Sequence, residues 1–567
     1  MYLIPYPKKI ETENKLVSYN TILPFSSEAD SRVKKAIEKL PCSENGATLI
    51  INIEKNGGEG YNLKLDVDKI TLNAQSPAGA FYGIQTLRQI FKNDEIPCLY
   101  IEDKPDFEHR GVYHDITRGK VPTLKTLKSF IDKLAYFKIN SLQLYVEHTF
   151  EFKEFADSIE KTGYLSASEI KELDDYCTEN FIEFIPSIAT FGHLYELLQK
   201  DEYKDLCVLE NFEPSYHYWP NRMQHHTIDP LNPESIKLIK SLTDQYMPLF
   251  KTNIFNICCD ETFDLKNYNK TDADTGRLYI DFVNQIIAHL ENNGKKVMMW
   301  ADILLENEKV INELPEDIYL LNWNYAANPP EDRIAKIASF GRKQIVCPGT
   351  STWNRLCEGV TIEEKNISLM AEYGYKHGAM GVLNTNWGDY GNTCSLELAM
   401  YGIVLGAEKS WTVKTKTGDA FDKSINHLLY ENNSAMSYLR ELDRIHSKIS
   451  WREFIHYYSN LIFEEKLNHA DVPDEKTIHA VQKECEAFIG KLQKEKWINQ
   501  EYRDEMLIAA EGILVIAELI AKSEKYSIER ISDTNTWLNK YRQKWIQKNK
   551  ESELSSIEDV FMYFERC

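Results

Sequence analysis

The feature that most constrains the fold of this chain is an alternating pattern that begins at Arg110. Short apolar runs recur, and each is followed by a charged segment with helical periodicity. Eight alternations over about 300 residues are typical of a (β/α)8 barrel rather than of a doubly wound sheet. Helical windows such as Leu124–Phe137, Ser168–Asn180 and Pro233–Leu249 fill the gaps. The predicted strands are Gly111–Thr117, Ser141–Glu147, Ile182–Thr190, Asn253–Glu261, Lys295–Asp302, Asp317–Asn324, Lys343–Gly349 and Ala379–Trp387.

The residues ahead of this repeat predict a small α+β domain over 1–105. Two runs with alternating apolar residues, Ala47–Ile53 and Tyr61–Val67, are separated by a glycine-rich turn, which indicates the two strands of a hairpin. Ser76–Phe91 then has apolar residues at helical spacing and Pro77 in its first turn, as expected for a helix.

Strand signals stop after the predicted barrel, which spans 106–415, and long amphipathic patterns predict an α-helical region over 416–567. Two apolar stripes in this region favour packing against the barrel or against a second subunit. Because they offer more apolar surface than one side of a barrel needs, we expect a homodimer. The stripes are Met506, Leu507, Ala510, Ile513, Leu514, Ala517 and Ile520, and Trp537, Tyr541 and Trp545.

Composition excludes several kinds of partner. The 87 acidic and 66 basic residues give a net charge of −21, which argues against binding to nucleic acid or to an anionic membrane surface. No stretch approaches the roughly 20 apolar residues of a membrane span, and the first residues lack the pattern of a signal peptide. The 11 cysteines are odd in number and contain no Cys-x-x-Cys pair, so reduced thiols fit better than a disulfide framework or a zinc site. We therefore expect a cytoplasmic protein.

The fourth predicted strand ends in two adjacent carboxylates, Asp260 and Glu261. In a parallel barrel the ligand site lies at the C-terminal ends of the strands, so two acids there can serve as a catalytic acid and its partner. The alternative interpretation is that both side chains begin a loop and meet only water. An Asp-Glu pair alone does not decide between the two.

The other strand ends carry residues suited to binding a sugar. Tryptophan faces stack on the apolar C–H faces of a pyranose, while carboxylates and imidazoles bind its hydroxyls. Each tryptophan taken alone is equally typical of a core residue, and a lone histidine is more often structural. The residues at these ends are Glu147, His148, His193, Trp300, Asp302, Trp323, Tyr325, Trp353, Asn354, Trp387 and Asp389.

Together these segments resemble glycoside hydrolase family 20, the β-N-acetylhexosaminidases. Residues 59–63 and 76–87 look like the small domain that precedes this family's barrel, and Ile185–His193 is similar to its Pro-Glu-Ile-x-x-x-Gly-His motif. Met299–Ile303 resembles its fifth-strand tryptophan motif, and Asn386–Asp389 its final tryptophan with an acid two residues on.

The resemblance also implies a sugar-binding arginine. Phe107–Asp115 looks like the family's opening barrel strand, whose arginine holds hydroxyls of the terminal sugar, and this implies a role for Arg110. The strand-end rule points instead to Asp115 or Arg118.

The segment Asn256–Glu261 departs from the family's His-x-Gly-Gly-Asp-Glu motif, because the histidine and both glycines differ while the two acids remain. The family's seventh-strand Tyr-x-Asp also has no clear counterpart, since Trp353 and Asn354 stand near that place. Tyr325 is the residue we assign as the replacement hydroxyl. These differences indicate a divergent branch.

The resemblance implies a retaining hydrolysis in which the 2-acetamido oxygen of the substrate attacks C1. Glu261 would protonate the leaving oxygen and then activate water, and Asp260 would orient the acetamide and stabilise the oxazolinium intermediate. Trp300, Trp323 and Trp387 would form the walls around the sugar. No metal or organic cofactor is required.

Two other functions stay open at this point. His193, Asp260 and Glu261 could bind a divalent metal for hydrolysis or isomerisation, or the barrel could be a non-catalytic sugar-binding protein. The intact pair of acids counts against the second. The sequence leaves open whether terminal GlcNAc or GalNAc is preferred, and which linkage and aglycone are accepted.

Overall fold

A computed structural model describes residues 1–24, 30–54, 57–157, 163–209, 217–223, 226–268, 274–415, 417–463, 472–527 and 532–566. Its centre is a closed barrel of eight parallel strands, which confirms the predicted fold class. Each strand is hydrogen-bonded to the next along the chain, and the last pairs with the first. The barrel strands are β6 (His109–Asp115), β7 (Ser141–Val146), β8 (Glu183–Ile188), β9 (Ile254–Asn256), β10 (Lys296–Trp300), β11 (Tyr319–Trp323), β12 (Lys343–Cys347) and β13 (Gly381–Asn386).

All eight predicted strands exist, and their limits differ from the prediction by a few residues. The largest difference is at β9, which was predicted to extend to Glu261 and instead ends at Asn256. The residues that follow leave the extended conformation, and Cys258, Cys259 and Glu261 have φ angles of 57°, 63° and 49°. The two acids therefore lie in a loop at the C-terminal end of the barrel.

The barrel helices connect consecutive strands and cover the outside of the sheet. They begin at caps of the expected kind; for example, the Ser166 side chain accepts a hydrogen bond from the Glu169 backbone N–H, and the Glu169 side chain accepts one from the Ser166 backbone N–H. The barrel helices are α3 (Leu124–Tyr136), α4 (Ala167–Glu179), α5 (Tyr195–Leu198), α6 (Tyr218–Arg222), α7 (Pro233–Tyr246), α8 (Thr275–Asn292), α9 (Asp302–Glu306), α10 (Asp332–Ser339), α11 (Val360–Lys376) and α12 (Met400–Trp411).

The N-terminal part is a five-stranded sheet with strand order β1-β5-β3-β4-β2 and two helices. The predicted helix is present as α2, with Ser76 as its N-cap and Pro77 in its first turn. The elements are β1 (Lys9–Leu16), α1 (Ser31–Glu38), β2 (Thr48–Ile53), β3 (Tyr61–Leu65), β4 (Lys69–Ala74), α2 (Pro77–Ile90) and β5 (Pro97–Asp103).

The predicted hairpin is wrong in its pairing. The two alternating runs do form strands, β2 and β3, but they are not neighbours, because β4 lies between them and pairs parallel with β2 and antiparallel with β3. The tight turn is Asp66–Lys69, where the Asp66 N–H donates to the Lys69 carbonyl at 2.9 Å. Local alternation identified the strands, whereas their pairing depended on a later strand that was not recognised.

The C-terminal region is helical, as predicted. Its apolar stripes are covered within the chain: Trp537, Tyr541 and Trp545 are buried, and the Tyr541 hydroxyl donates to the Thr393 carbonyl at 3.2 Å. The surplus apolar surface that led us to expect a homodimer is therefore accounted for by one chain. The helices are α13 (Asp419–Ile425), which continues into a π-helical turn at Asn426–Tyr430, α14 (Ala435–His446), α15 (Trp451–Phe463), α16 (Glu475–Lys494), α17 (Gln500–Glu524), α18 (Thr534–Lys548) and α19 (Leu554–Arg566). None of the described helices combines the length and the apolar character that a membrane span requires.

Arg110 lies at the junction of the N-terminal sheet and the barrel, and its predicted role in sugar binding is wrong. It is the second residue of β6, so its side chain is at the N-terminal end of the barrel, opposite the strand ends that carry the acids. Its guanidinium is fully buried, with Nη1 2.6 Å from Glu59 Oε2 and 3.0 Å from the Phe107 carbonyl. The same group lies 4.9 Å from the centre of the Trp411 ring. Arg110, which the resemblance of Phe107–Asp115 had selected, therefore packs the N-terminal domain against the barrel.

We expect Arg110→Ala to lower the free energy of unfolding by about 3 kcal/mol, because it removes a fully buried side chain with its hydrogen bonds to Glu59 and Phe107 and opens a cavity. Lys343→Ala is the control, since it breaks an exposed pair with Asp317 and should cost less than about 1 kcal/mol. Urea unfolding followed by circular dichroism measures both. Equal effects of the two substitutions would contradict the structural role of Arg110.

Candidate active site

A pocket opens at the C-terminal ends of the barrel strands, where parallel barrels place their ligand sites. The space inside it, including the open mouth, is about 580 Å³. Asp260, Glu261 and seven of the eleven other strand-end residues line it. Arg118, which the strand-end rule also indicated, and Met223 complete the lining. The lining residues are Arg118, His193, Met223, Asp260, Glu261, Trp300, Trp323, Tyr325, Trp353, Trp387 and Asp389.

The loop after β9 brings two consecutive acids into one pocket. In an extended strand their side chains would point to opposite faces. The left-handed backbone at Cys258, Cys259 and Glu261 breaks that alternation, and both Asp260 and Glu261 line the pocket. Left-handed conformations cost roughly 1–2 kcal/mol for a residue with a Cβ atom. The site thus depends on a locally strained segment.

Three hydrogen bonds from neighbouring elements hold this segment. Thr190 Oγ1 donates to the Ile257 carbonyl at 2.6 Å, and the Tyr279 hydroxyl donates to the Cys259 carbonyl at 2.8 Å. The backbone N–H of Trp300 donates to the Cys258 carbonyl at 2.9 Å. All of these groups are buried. A strained backbone persists only where surrounding contacts fix it, and these three hydrogen bonds do so here.

His193 connects the two acids. Its Nε2 lies 3.2 Å from Asp260 Oδ2 and 3.4 Å from Glu261 Oε2, and its Nδ1 lies 3.2 Å from Nη2 of Arg118. Burial opposes a charge on the imidazole, but the two carboxylates outweigh it and raise the pKa of His193. The positive charge of the Arg118 guanidinium acts in the opposite direction. The Nε2–H of His193 is the donor that serves both carboxylates.

The remaining contacts make Asp260 and Glu261 different. Asp260 Oδ1 is buried and has no hydrogen-bond partner among the described residues. Burial acts to raise the pKa of Glu261, but the hydrogen bond from His193 and the positive charge of Arg118 outweigh it and hold that pKa below its usual range. The Glu261 side chain is also the more exposed of the two, at 26% against 11%. Asp260 thus offers a free buried acceptor, and Glu261 lies toward solvent.

A third carboxyl group, that of Asp302, contacts the backbone of the loop that carries the two acids. Its Oδ2 accepts a hydrogen bond from the backbone N–H of Glu261 at 3.0 Å. Burial, together with the negative charge of Asp260, raises the pKa of Asp302 to about 7. A third carboxyl group in this position can therefore carry a proton at neutral pH, which limits the negative charge around the catalytic pair.

Five aromatic side chains wall the pocket, as the strand-end residues predicted. Trp323 and Tyr325 are stacked, with ring centres 5.1 Å apart, and Trp353 lies 5.1 Å from Tyr325. The Trp387 indole N–H donates to the Tyr325 hydroxyl at 2.7 Å, which fixes the position of this hydroxyl in the pocket. The Trp300 indole N–H is buried and has no partner among the described residues.

The opposite side of the pocket is polar. Arg118 Nη1 lies 3.6 Å from Asp389 Oδ1, and Asn354 donates to Asp389 Oδ2 at 3.2 Å. Burial raises the pKa of Asp389 to about 6, against the charge of Arg118. A cationic fork beside a carboxylate can bind neighbouring hydroxyl groups of a sugar. Arg118, which the strand-end rule had indicated, therefore occupies the position expected for Arg110.

Glu147 was predicted to bind substrate, and the structure places it behind the pocket instead. Its Oε1 accepts a hydrogen bond from the Tyr145 hydroxyl at 2.8 Å and lies 3.6 Å from Arg118 Nη2. The side chain is buried and does not line the cavity. Its role is to hold Arg118. Met223 was missed because it lies in the long connection between β8 and β9, where no periodic pattern marks it.

The donor atoms of His193, Asp260 and Glu261 lie within 4.8 Å of one another, so these residues could hold a metal ion. The guanidinium of Arg118 lies 3.2 Å from the same imidazole and would repel a divalent cation. His193 must also use Nε2, the nitrogen that bonds the acids, as a metal ligand. The residues present fit a hydrogen-bonded acid pair better than a metal centre.

The left-handed backbone at Cys259 yields a direct test of the strained loop. We expect Cys259→Val to lower the free energy of unfolding by about 2 kcal/mol or more, because a β-branched side chain is incompatible with this conformation although its size matches. Cys259→Gly should change stability by less than about 1 kcal/mol, since relief of strain offsets lost packing. Thermal unfolding of the two variants measures this difference. A Val variant as stable as the Gly variant would show that the loop is unstrained.

Comparison with known proteins agrees with this site. The catalytic-domain model of glycosyl hydrolase family 20 matches residues 107–423, more than half of the chain, and the model of domain 2 of the same family matches residues 1–104. A lacto-N-biosidase from Bifidobacterium bifidum is 24% identical over 300 residues, 49% of this chain and 25% of that protein. A β-hexosaminidase from Porphyromonas gingivalis is 25% identical over 284 residues, 43% of this chain and 36% of that protein. The matched segments thus span only a quarter to about a third of these two relatives.

Solved structures share the fold. A Flavobacterium johnsoniae chitobiase is 18% identical with a TM-score of 0.61, and the match covers 99% of both chains. A family 20 exo-β-N-acetylglucosaminidase from Vibrio harveyi is 18% identical with a TM-score of 0.59, over 75% of each chain. The matches to both models of the family, with the barrel and the acid pair in place, lead to one conclusion: the chain belongs to glycosyl hydrolase family 20.

Proposed function

We propose that this protein is an exo-acting retaining β-N-acetylhexosaminidase, which removes terminal β-linked GlcNAc or GalNAc from glycans by substrate-assisted catalysis. The observation that carries the proposal is the convergence of Asp260 and Glu261 on one imidazole inside a pocket walled by aromatic rings. An aromatic wall fits the faces of a pyranose, and the acid pair supplies proton transfer beside it.

Asp260 is the partner of the 2-acetamido group. Its buried Oδ1, which has no partner among the described residues, accepts the acetamide N–H and thereby turns the carbonyl oxygen toward C1. The Tyr325 hydroxyl, fixed by Trp387, donates its hydrogen to that carbonyl oxygen. When the oxygen attacks C1 and positive charge develops on the oxazolinium ring, the Asp260 carboxylate stabilises it.

Glu261 is the general acid and then the general base. In the free protein its pKa lies below the usual range, so the bound sugar must exclude water before the proton is held firmly. Glu261 then gives the proton to the leaving oxygen, and its carboxylate later takes one from the water that opens the oxazolinium ring. Arg118 and Asp389 bind hydroxyl groups at the far end of the same sugar.

The site of action that we propose is the cytoplasm, on small imported or recycled glycans. Ten cysteines among the described residues are free thiols, and all except Cys42 are buried. Free thiols in this number suit a reducing compartment. Fractionation of the native host tests this, and recovery mainly from the culture medium would contradict it.

A metal-dependent hydrolase is the second candidate, because His193, Asp260 and Glu261 can hold a cation. The two functions differ in their response to chelation. The proposed mechanism uses no metal, so activity on an aryl β-GlcNAc substrate should survive dialysis against EDTA. Loss of activity that returns on addition of a divalent metal would favour the second candidate.

Substitutions of the two acids should reduce kcat/KM in different ways. Glu261→Gln removes the proton donor, and we expect a loss of about 10²–10⁴-fold in kcat/KM that shrinks for good leaving groups, which barely need protonation. Asp260→Asn leaves the acid intact but weakens the acetamide nucleophile, so its loss of about 10²–10³-fold should persist with every leaving group.

The measurement is kcat/KM for a series of aryl β-GlcNAc substrates of increasing leaving-group pKa. Asp317→Asn serves as a control, because this exposed carboxylate pairs with Lys343 near the N-terminal ends of the strands, away from both acids. Identical dependence on the leaving group in the Asp260 and Glu261 variants would refute the assigned roles.

The pH dependence follows from the link between His193 and Glu261. The hydrogen bond from His193 favours the ionised form of Glu261, so it lowers the pKa of the general acid and places the alkaline fall in activity at lower pH. In His193→Phe the pKa of Glu261 should rise, and the alkaline fall of kcat/KM should move to higher pH although the maximum is lower. A fall that moves to lower pH, or not at all, would contradict this assignment.

A further inference from the structure

Glu553 connects the C-terminal helical region to the pocket, although the region lies outside the residues that match the family's catalytic domain, 107–423. It is buried and immediately precedes α19. Its carboxylate and its backbone contact two separate loops, both of which carry residues of the pocket. A third pocket loop packs against the first two.

The carboxylate of Glu553 holds the loop between β8 and β9. Its Oε2 accepts the indole N–H of Trp219 at 2.9 Å, and its Oε1 accepts from Nη2 of Arg222 at 2.5 Å. Trp219 and Arg222 are both buried. Met223, the next residue, lines the pocket. The charge-assisted bond to Arg222 is therefore one residue away from the cavity wall.

The backbone of the same segment holds the loop after β6. The Glu553 N–H donates to the Gly119 carbonyl at 3.2 Å, and the Lys550 N–H donates to the Val121 carbonyl at 2.8 Å. Arg118 precedes Gly119 and lines the pocket. The position of this cation thus depends on a hydrogen bond from the C-terminal region.

The loop after β13 is packed between the other two. Gly391 has a φ of 78°, and a Cβ atom there would lie 2.7 Å from the Trp219 ring. Gly119 has a φ of 107°, and a Cβ atom there would lie 2.8 Å from the Cα of Gly391. Only glycine permits this approach at either position. Asp389, two residues before Gly391, lines the pocket.

The C-terminal region makes a second contact with the loop after β13. The Trp451 indole N–H, on α15, donates to the Tyr390 carbonyl at 2.7 Å. The Trp219 and Trp451 rings are 6.3 Å apart, so the two anchors belong to one buried cluster. The polar side of the pocket is thus built against the C-terminal helices, whereas the acid pair is held by the barrel itself.

We propose that Glu553 is a positioning residue for substrate binding: through Trp219, Arg222 and Gly119 it sets the places of Met223, Arg118 and Asp389, so that the C-terminal helical region forms a working part of the site. The kinetic consequence rests on the proposed hexosaminidase function. The structural consequence, order in the three loops, does not.

The effect should fall on binding more than on chemistry. Glu553 touches the loops that carry Met223, Arg118 and Asp389, and Asp260 and Glu261 are fixed by Thr190 and Tyr279. In Glu553→Gln the carboxylate next to Arg222 becomes a neutral amide, and Glu196, 3.3 Å from the same Nη2, stays as its anionic partner. We expect KM for an aryl β-GlcNAc substrate to rise up to about tenfold, the equivalent of one charge-assisted hydrogen bond, with a smaller change in kcat. The pH profile should keep its shape.

Glu558→Gln is the matched control. Glu558 is on α19, the helix that Glu553 immediately precedes, and it forms an ion pair with the exposed Arg542 of the same C-terminal region. Trp219→Phe is the second test variant, because it removes the N–H donated to Glu553 and retains an aromatic ring. Circular dichroism and thermal unfolding establish that each variant is folded at the assay temperature.

Two measurements distinguish an error in the proposed function from an error in the positioning role of Glu553. Hydrogen exchange with mass spectrometry should show faster exchange in peptides that cover residues 217–223 and 388–392 in Glu553→Gln and Trp219→Phe, and no change there in Glu558→Gln. Steady-state kinetics should show the rise in KM in the same two variants. An inactive wild type with the expected exchange pattern would refute the proposed function alone. Unchanged KM and unchanged exchange in a folded Glu553→Gln variant would overturn the positioning role.

Discussion

The site depends on one constraint, the left-handed turn of the backbone directly after β9. An extended strand would send Asp260 and Glu261 to opposite faces, and only one could reach a bound sugar. The positive φ angles at Cys258, Cys259 and Glu261 remove that restriction. The strain is sustained by Thr190, Tyr279 and Trp300, which lie on the neighbouring elements of the closed barrel. Chemistry at this point is therefore possible because the barrel around it is rigid.

The parts around the barrel have different tasks. The N-terminal domain is joined to the bottom of the barrel by the buried Arg110 and its ion pair with Glu59, at the end of the barrel opposite the acids. The C-terminal helices contact the top, where Glu553 and Trp451 hold the loops of the polar side of the pocket. On the proposed function, the barrel supplies the reacting groups, and the C-terminal helices shape part of the pocket that binds the sugar. His193 joins the two halves, because it contacts the acids on one side and Arg118 on the other.

Much of this could be predicted from the sequence, for a physical reason in each case. Apolar periodicity is local, so all eight barrel strands were found, and the strand-end rule then identified nine of the pocket's lining residues. Pairing between distant strands is not local, so β2 and β3 were joined as a hairpin although β4 lies between them. The rule also indicated Arg118, whereas motif similarity selected Arg110, a domain-packing residue. The role of Glu553 had no sequence signal, since its partners are more than 300 residues away.

The central claim is that the substrate's own acetamido oxygen, held by Asp260, attacks C1. It is tested most directly by the rate of hydrolysis of aryl glucosaminides whose N-acetyl group carries zero, one, two or three fluorine atoms. Fluorine withdraws electrons from the carbonyl oxygen without changing the leaving group, so the account predicts that kcat/KM falls steeply and steadily along the series. A rate that is nearly independent of fluorination, together with a covalent adduct between the sugar and a carboxylate of the protein, would contradict it.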